Sequence, residues 1–436
     1  MFYFQRDRVG TTTINKPLWL VVMLTVLMVL LAGHSVAAAR PSAQTSYEAV
    51  IDAGSSGTRL YLYQLQQSPQ GPVVSLVHED KPDMLRGLSK YVDNPSQAGP
   101  SEIGPLLKSL DDYLKKQAID AKRVSVSVLA TAGMRLVDST VADQIYQSVR
   151  QTLDRRGYIV HQVRTITGQE EGIFAWVDIN YLKGNLKAGR ATQGIVELGG
   201  ASAQVALAVP ASNKYGQAVR AVRIGDVSYN VLSVSYLGLG QNEARRAMVQ
   251  AVTKAQLPQN PCYPNSRSPG VSFDAFMSRA GQSGLIVSGD KAAYSQACFE
   301  VYGEVVQETS GSSVNRFPIS QFQSVPGFDK TSFVLLDWFY RKLQDWNLLE
   351  NSRLERALLA EIFGRCVGAD AWQMVSALQG KGFFAQNACA NATYMYTLIF
   401  SGRTLALSSS RVEALNEVKG QTLTWTRGYA LLSAGS

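Results

Sequence analysis

The sequence predicts an α/β protein of two related lobes with a cleft between them, and three observations carry that prediction. Ile51-Asp52-Ala53-Gly54-Ser55-Ser56-Gly57-Thr58-Arg59-Leu60 is an apolar run, an acid, a turn of glycines and small hydroxyls, then a second apolar run. Ile195-Val196-Glu197-Leu198-Gly199-Gly200-Ala201-Ser202-Ala203-Gln204-Val205 repeats that plan about 145 residues later. Around each copy, strand-like and helix-like patterns alternate, as α/β folds require. Each copy reads as a β-hairpin whose tight turn exposes backbone N–H groups beside one carboxylate. Two such turns face to face would grip a phosphate chain from both sides, with the two acids placed to hold a divalent cation. One such turn alone would be unremarkable; two are not.

Taken in order, Tyr47 to Tyr63 carries the first hairpin, Ser101 to Gln117 an amphipathic helix, and Val124 to Leu129 a strand. Val141 to Arg156 reads as a helix and Tyr158 to Val163 as a strand. The cycle then restarts with a helix from Glu170 to Leu182, the hairpin Gly194 to Val209, the strand Val219 to Ile224 and the helix Gln241 to Thr253. Residues 260–316 are rich in Pro, Ser, Gly and Cys and read as an irregular insertion tied by a disulfide. Ser332 to Phe400 is mainly helical in pattern. The expected lobes are 46–165, rejoined by 410–436, and 166–409 with the insertion inside it.

At 436 residues and 46% hydrophobic content the chain has enough apolar sequence for two cores. A formal charge of +8 without a lysine- or arginine-rich run gives a nucleic-acid role no support. Arg6, Arg8 and Lys16 precede the apolar run Leu18 to Ala32, and Ala37-Ala38-Ala39 offers a small-residue cleavage site. Residues 1–39 are therefore expected to be a signal peptide; the alternative is an uncleaved N-terminal anchor, since Pro17 to Ala39 carries no charge. No other stretch has membrane-spanning length, so the mature protein is expected to be secreted or periplasmic. Four cysteines (Cys262, Cys298, Cys366, Cys389) in an exported chain suggest two disulfides. With no Cys-x-x-Cys pair and three histidines, neither a zinc site nor a Ser-His-Asp triad is expected.

Thr167-Gly168-Gln169-Glu170-Glu171-Gly172 opens the helix that carries Ile173, Trp176, Val177 and Tyr181 on its apolar face. Thr167 and Glu170 have capping-box spacing, so Glu170 needs only a structural role. Glu171 is not required for capping; in the first turn the helix dipole favours its ionised form, and it is placed to act as general base for water. Thr131-Ala132-Gly133-Met134-Arg135 follows an apolar strand. There Thr131 would bind a metal-held water or a phosphate, or the segment is a plain turn with Arg135 in a structural ion pair.

These four segments, with Trp425-Thr426-Arg427-Gly428-Tyr429, resemble the five apyrase regions of the nucleoside triphosphate diphosphohydrolase family, in the family's order and across nearly the whole mature chain. The resemblance implies a two-lobed actin-like, sugar-kinase-like (ribonuclease H-like) fold with the active site between the lobes. It implies hydrolysis of the terminal phosphate of nucleoside tri- and diphosphates, dependent on Ca²⁺ or Mg²⁺. By motif position Asp52 and Glu197 would hold the hydrated metal, with Thr131 assisting through water. Ser55, Ser56, Gly57 and Thr58 would cradle phosphate from one lobe, and Gly199, Gly200, Ala201 and Ser202 from the other. Glu171 matches the base, and Ser202 and Gln204 the residues that position the attacking water. Disulfides Cys366–Cys389 and Cys262–Cys298 are implied likewise, and base stacking falls to Tyr394 first and Tyr340 second.

Two departures stand out: Glu197 where the family usually has Asp, and Gly57 and Arg59 where cell-surface members tend to have His and Ser. The latter resembles the soluble and bacterial branches, and a protein acting as a monomer is expected. The alternative enzyme is a polyphosphate or guanosine-pentaphosphate phosphatase, against which the aromatic helix Trp176 to Leu182 argues. The non-enzyme alternative is an actin- or chaperone-like nucleotide-gated module.

Overall fold

In a computed structural model the described residues are 45–68, 71–211, 214–256, 260–262, 291–350, 353–362 and 387–434. The leader expected at 1–39, residues 263–290 of the insertion, and Cys366 lie outside them.

The first sheet begins with β1 (Ser46–Gly54), β2 (Gly57–Ser68) and β3 (Gly71–Asp80), an antiparallel meander. Ala49, Val50 and Ile51 of β1 are all fully buried, which is why this central strand reads as an unbroken apolar run with no polar face. Helix α1 (Gly104–Lys116) buries Leu106, Leu107, Leu110 and Leu114, the stripe its spacing predicts. Strand β4 (Val124–Ala130) lies parallel beside β1, and the short α2 (Ala132–Arg135) and the longer α3 (Ser139–Asp154) lead to β5 (Ile159–Thr165). The order across this sheet is β3-β2-β1-β4-β5.

Helix α4 (Gly168–Lys183) leads on to β6 (Gly194–Leu198) and β7 (Ser202–Val209), then β8 (Val219–Ile224) and β9 (Val227–Leu237). Helices α5 (Gln241–Lys254) and α6 (Lys291–Ser310) follow. Within the stretch expected to be mainly helical lies β10 (Phe333–Asp337), parallel to β6; α7 (Trp338–Asp345), α8 (Leu354–Ile362) and α9 (Ala388–Phe400) come after it. The C-terminal segment divides between the sheets. Strand β11 (Val412–Ala414), expected to return to the first lobe, instead pairs with β10 as the edge of the second sheet. A small hairpin, β12 (Glu417–Val418) and β13 (Gln421–Thr422), then leads to α10 (Trp425–Ala434), which packs on α4 and against β1, β2 and β3.

The second sheet runs β11-β10-β6-β7-β9-β8. Read from β9 towards β11, its order and strand directions repeat those of the first sheet from β3 to β5. Each sheet has its own core. A third core joins them, in which Val50, Tyr61 and Tyr63 meet Ile195, Val231 and Val334 around α4 and α10. Phe174 of α4 and Gly428 of α10 touch closely: a Cβ on Gly428 would sit 2.0 Å from the Phe174 carbonyl oxygen. Beside that contact the buried Arg427 donates to Asp178 Oδ1 at 2.6 Å, and the Thr424 N–H donates to Asp178 Oδ2 at 2.8 Å. The fifth motif of the sequence thus fastens the two central helices. In the second lobe Cys262 is joined to Cys298 in a disulfide; Cys389 is also disulfide-bonded.

Candidate active site

The two predicted hairpin turns face each other. Gly200 of the second lies against Ser55 of the first so closely that a Cβ on Gly200 would fall 2.6 Å from Ser55 Oγ. Between and beside them opens a cleft of about 470 Å³, whose wall includes Asp52, Ser55, Ser56, Thr131, Glu171, Glu197, Gly199 and Gly200. Strand register explains the convergence. Asp52 follows the apolar residues Ala49 to Ile51 of β1 and lies opposite Arg59 on β2; Glu197 likewise follows Ile195 and Val196 on β6, opposite Gln204 on β7. Thr131 follows the last residue of β4, the strand beside β1.

Glu171 enters the cleft from the first turn of α4. Thr167 and Glu170 close the helix start as a capping box: the Glu170 N–H donates to Thr167 Oγ1 at 3.1 Å, and the Thr167 N–H to Glu170 Oε2 at 2.7 Å. Burial tends to raise the Glu170 pKa, but hydrogen bonds from Arg164 and Thr167 outweigh it and hold the group below its ordinary value. Glu171 is left for other work. Its Oε2 accepts from Arg135 Nη2 at 2.6 Å and from Gln204 Nε2 at 3.1 Å. Gln204 Nε2 also donates to Ser202 Oγ at 2.6 Å, while the Gln204 carbonyl oxygen is buried with no partner among the described residues. The ion pair foreseen for Arg135 is thus made with Glu171.

The cleft is crowded with acids. Burial pushes Asp52 up to about 7; Arg59, whose Nη1 is 3.5 Å away, opposes this, while Glu171 and Asp337 add to it. Glu197 is raised well above the ordinary carboxylate range by burial, then by Glu171, Asp337 and Asp52. Asp337 is also raised by burial, against the pull of Arg341 and Arg59. Asp52 Oδ1 and Glu197 Oε2 are buried acceptors with no partner among the described residues. Such oxygens want positive charge, so the residues fit a divalent cation. Among the described residues no three His, Cys, Asp or Glu side chains converge to ligate one directly.

Several expected residues stand elsewhere. Tyr394 is buried in the second-lobe core, where its hydroxyl donates to the Leu239 carbonyl and its ring lies 5.2 Å from that of Tyr302, so it does not stack on a ligand in the cleft. Tyr340 does line the cleft. The Thr58 side chain points into the first-lobe core and donates to Glu102 Oε1 at 2.5 Å. Gly57 and Ala201 are also outside the cleft wall: a Cβ on Gly57 would meet the Leu85 carbonyl at 3.3 Å, and Ala201 is buried. One residue was missed. Asp337 ends β10, the counterpart of β4, with φ of 55°, a backbone strain of the kind found at functional positions. Its signal was present in Phe333-Val334-Leu335-Leu336-Asp337, a third apolar run ending in an acid.

Two like sheets, two facing glycine turns and an acid-lined cleft between them define a two-lobed α/β protein built on a repeated unit, with a polar site where the two units meet. The match of residues 39–435 to the GDA1/CD39 (nucleoside phosphatase) family narrows this. The chain belongs to that family and is a nucleoside phosphate hydrolase. It is 27% identical to probable apyrase 5 of Arabidopsis thaliana over 89% of this chain and 82% of the relative. It is 29% identical to ectonucleoside triphosphate diphosphohydrolase 5 of Ailuropoda melanoleuca over 71% of this chain and 70% of the relative. Its fold resembles that of a nucleoside triphosphate hydrolase from Neospora caninum, with a TM-score of 0.57 at 16% identity over 96% of both chains.

Proposed function

We propose that the protein removes the terminal phosphate from nucleoside tri- and diphosphates by attack of a water activated by Glu171. The observation that carries this reading is the arrangement of hydrogen-bond donors and acceptors around Glu171. Arg135 and Gln204 both bond to Oε2, which leaves Oε1 for a proton of water. The unpartnered Gln204 carbonyl oxygen accepts the other hydrogen, so the water's lone pair is turned towards phosphorus. Ser202, held by Gln204 Nε2, fixes that amide's orientation. Ser55, Ser56, Gly199 and Gly200 border the terminal phosphate with small side chains and backbone donors, while Tyr340 offers a ring to the base. Asp52, Glu197 and Thr131 would hold a hydrated Ca²⁺ or Mg²⁺, whose charge neutralises the phosphate chain. Positioning and neutralisation are most of what phosphoryl transfer asks of a protein.

Export fits this reading. The leader pattern and the disulfide Cys262–Cys298 suit an oxidising compartment, where the protein would act as a secreted or periplasmic monomer. Among the described residues no helix is long and apolar enough to cross a membrane. Phosphate release from a panel of nucleoside tri-, di- and monophosphates, with Ca²⁺, Mg²⁺ or excess chelator, tests the assignment. Cation-dependent turnover of tri- or diphosphates is expected, and full activity in chelator would remove Asp52 and Glu197 from their assigned role.

A further inference from the structure

Behind Glu171 lies a second cavity of about 470 Å³. At this point the wall between it and the cleft is a pair of side chains in contact, Glu171 on the cleft side and Arg135 on the pocket side. Arg135 lines the second cavity yet donates through Nη2 to Glu171 Oε2, on the cleft side, at 2.6 Å. Gln204 Nε2 bridges the same wall, 3.1 Å from Glu171 Oε2 and 3.2 Å from Ser235 Oγ, and Ser235 also lines the second cavity. Two glycines keep the wall thin: a Cβ on Gly168 would sit 2.2 Å from Ser235, and one on Gly172 would sit 2.4 Å from Ser233 Oγ.

The two cavities differ in charge. Six acids, Asp52, Glu171, Asp178, Glu197, Asp337 and Glu417, line the front cleft beside three cations, Arg59, Lys81 and Arg341, whereas the rear pocket is lined by Arg135 and Arg316 and by no Asp or Glu. Two of its lining residues carry buried groups with no partner among the described residues, Arg135 Nη1 and the Tyr215 hydroxyl. Orphaned buried donors of this kind call for an explanation, and an oxyanion passing through the pocket supplies one.

In-line displacement puts the attacking water and the leaving group on opposite sides of phosphorus. With the water held at Glu171 and Gln204, the leaving nucleotide lies towards the open mouth of the cleft. The phosphate just formed is then enclosed, with the nucleotide product in front and the Glu171 wall behind. We propose that inorganic phosphate leaves rearward, past Arg135 and through this second pocket, while the nucleotide product leaves by the front. The proposal rests on Glu171 as base. Once Glu171 carries the water's proton, its bond from Arg135 loses the assistance of opposite charge, and the guanidinium is freed for the departing phosphate as the wall opens.

The test blocks the rear pocket without touching the cleft. Val314 lines the pocket and is 69% exposed, so Val314→Cys can be alkylated with a bulky maleimide; no described cysteine is free to compete. Bond cleavage is followed by rapid quench and phosphate release by a fluorescent phosphate sensor, before and after alkylation. We expect first-turnover cleavage and nucleotide affinity to be unchanged, with phosphate release falling at least ~10-fold behind cleavage, as when product release limits turnover. Arg316→Gln should move the same way by a smaller factor, through loss of charge at the exit. Phosphate release that keeps step with cleavage in the alkylated protein overturns the proposal, as does a loss of cleavage itself. Failure of the base assignment would show separately, as first-turnover cleavage that survives Glu171→Gln.

Discussion

At the scale of single residues, the two adjacent glutamates make opposite predictions. Glu171→Gln keeps the bonds from Arg135 and Gln204 but removes the base, so turnover should fall at least ~10²-fold with nucleotide binding largely retained. Glu170→Gln can still complete the cap with Thr167 and should keep most activity. It should also melt lower, because the Arg164 contact at 2.9 Å loses its charge. Turnover and nucleotide affinity of both variants check this, and a dead Glu170→Gln beside an active Glu171→Gln would reverse the assignment. Asp52 predicts a pH effect. Its folded pKa of about 7 exceeds the unfolded value near 4, so its contribution to stability is full below about pH 4 and is lost as pH rises through about 7. A divalent cation binds the carboxylate form, so its stabilising effect in thermal melts should grow between about pH 5 and 8. Asp52→Asn should flatten that dependence; an unchanged slope would mean that another group carries it.

At the scale of elements, the crossing of α4 and α10 is the most exposed to a single change. Gly428→Ala drives a methyl into the Phe174 carbonyl, which no rotamer can relieve, and should destabilise by about 1–3 kcal/mol. Arg427→Met leaves Asp178 buried without its charged partner and should cost about 3–5 kcal/mol. Denaturant melts of both variants measure these losses; a silent Gly428→Ala would mean that the helices can part. This crossing also shows where sequence reading runs short. The hairpins, α1, α3 and α5 were legible because each buries one face or one continuous apolar run; α4, buried on every side from Glu171 to Asn180, was legible from its capping box instead. Strand β10 was not, since four apolar residues fit a buried helix turn as well as a buried strand, and the mistake concealed Asp337. Tyr394 was misplaced for a related reason: Ala388 to Phe400 is apolar all round, so no pattern says which face meets the cleft.

At the scale of the whole molecule, the repeat was readable because function had kept both copies of a short turn. The meeting of the lobes was not, because the contacts that join them lie between residues far apart in sequence, such as Gly200 against Ser55. Reducing the disulfide Cys262–Cys298 frees a loop of 36 residues and should lower second-lobe stability by about 3–4 kcal/mol in the entropy model. Because this bond lies in the second-lobe core and the first lobe has a core of its own, partial unfolding should appear before global loss of signal, in hydrogen exchange resolved by peptide. Uniform loss across both lobes would instead mean that the core around α4 and α10 makes them one cooperative unit.

The matched registers Asp52–Arg59 and Glu197–Gln204 bear on the history of such a chain. Two halves with the same strand order are interchangeable only while both copies of each position do the same job. Here one copy has put a permanent cation across from its acid and the other a neutral amide. A chimera built from two first halves would face itself with two guanidinium groups and nothing to hold water, and one from two second halves would have the reverse defect. At this matched position the two halves carry complementary groups rather than equivalent ones, and neither half alone supplies both.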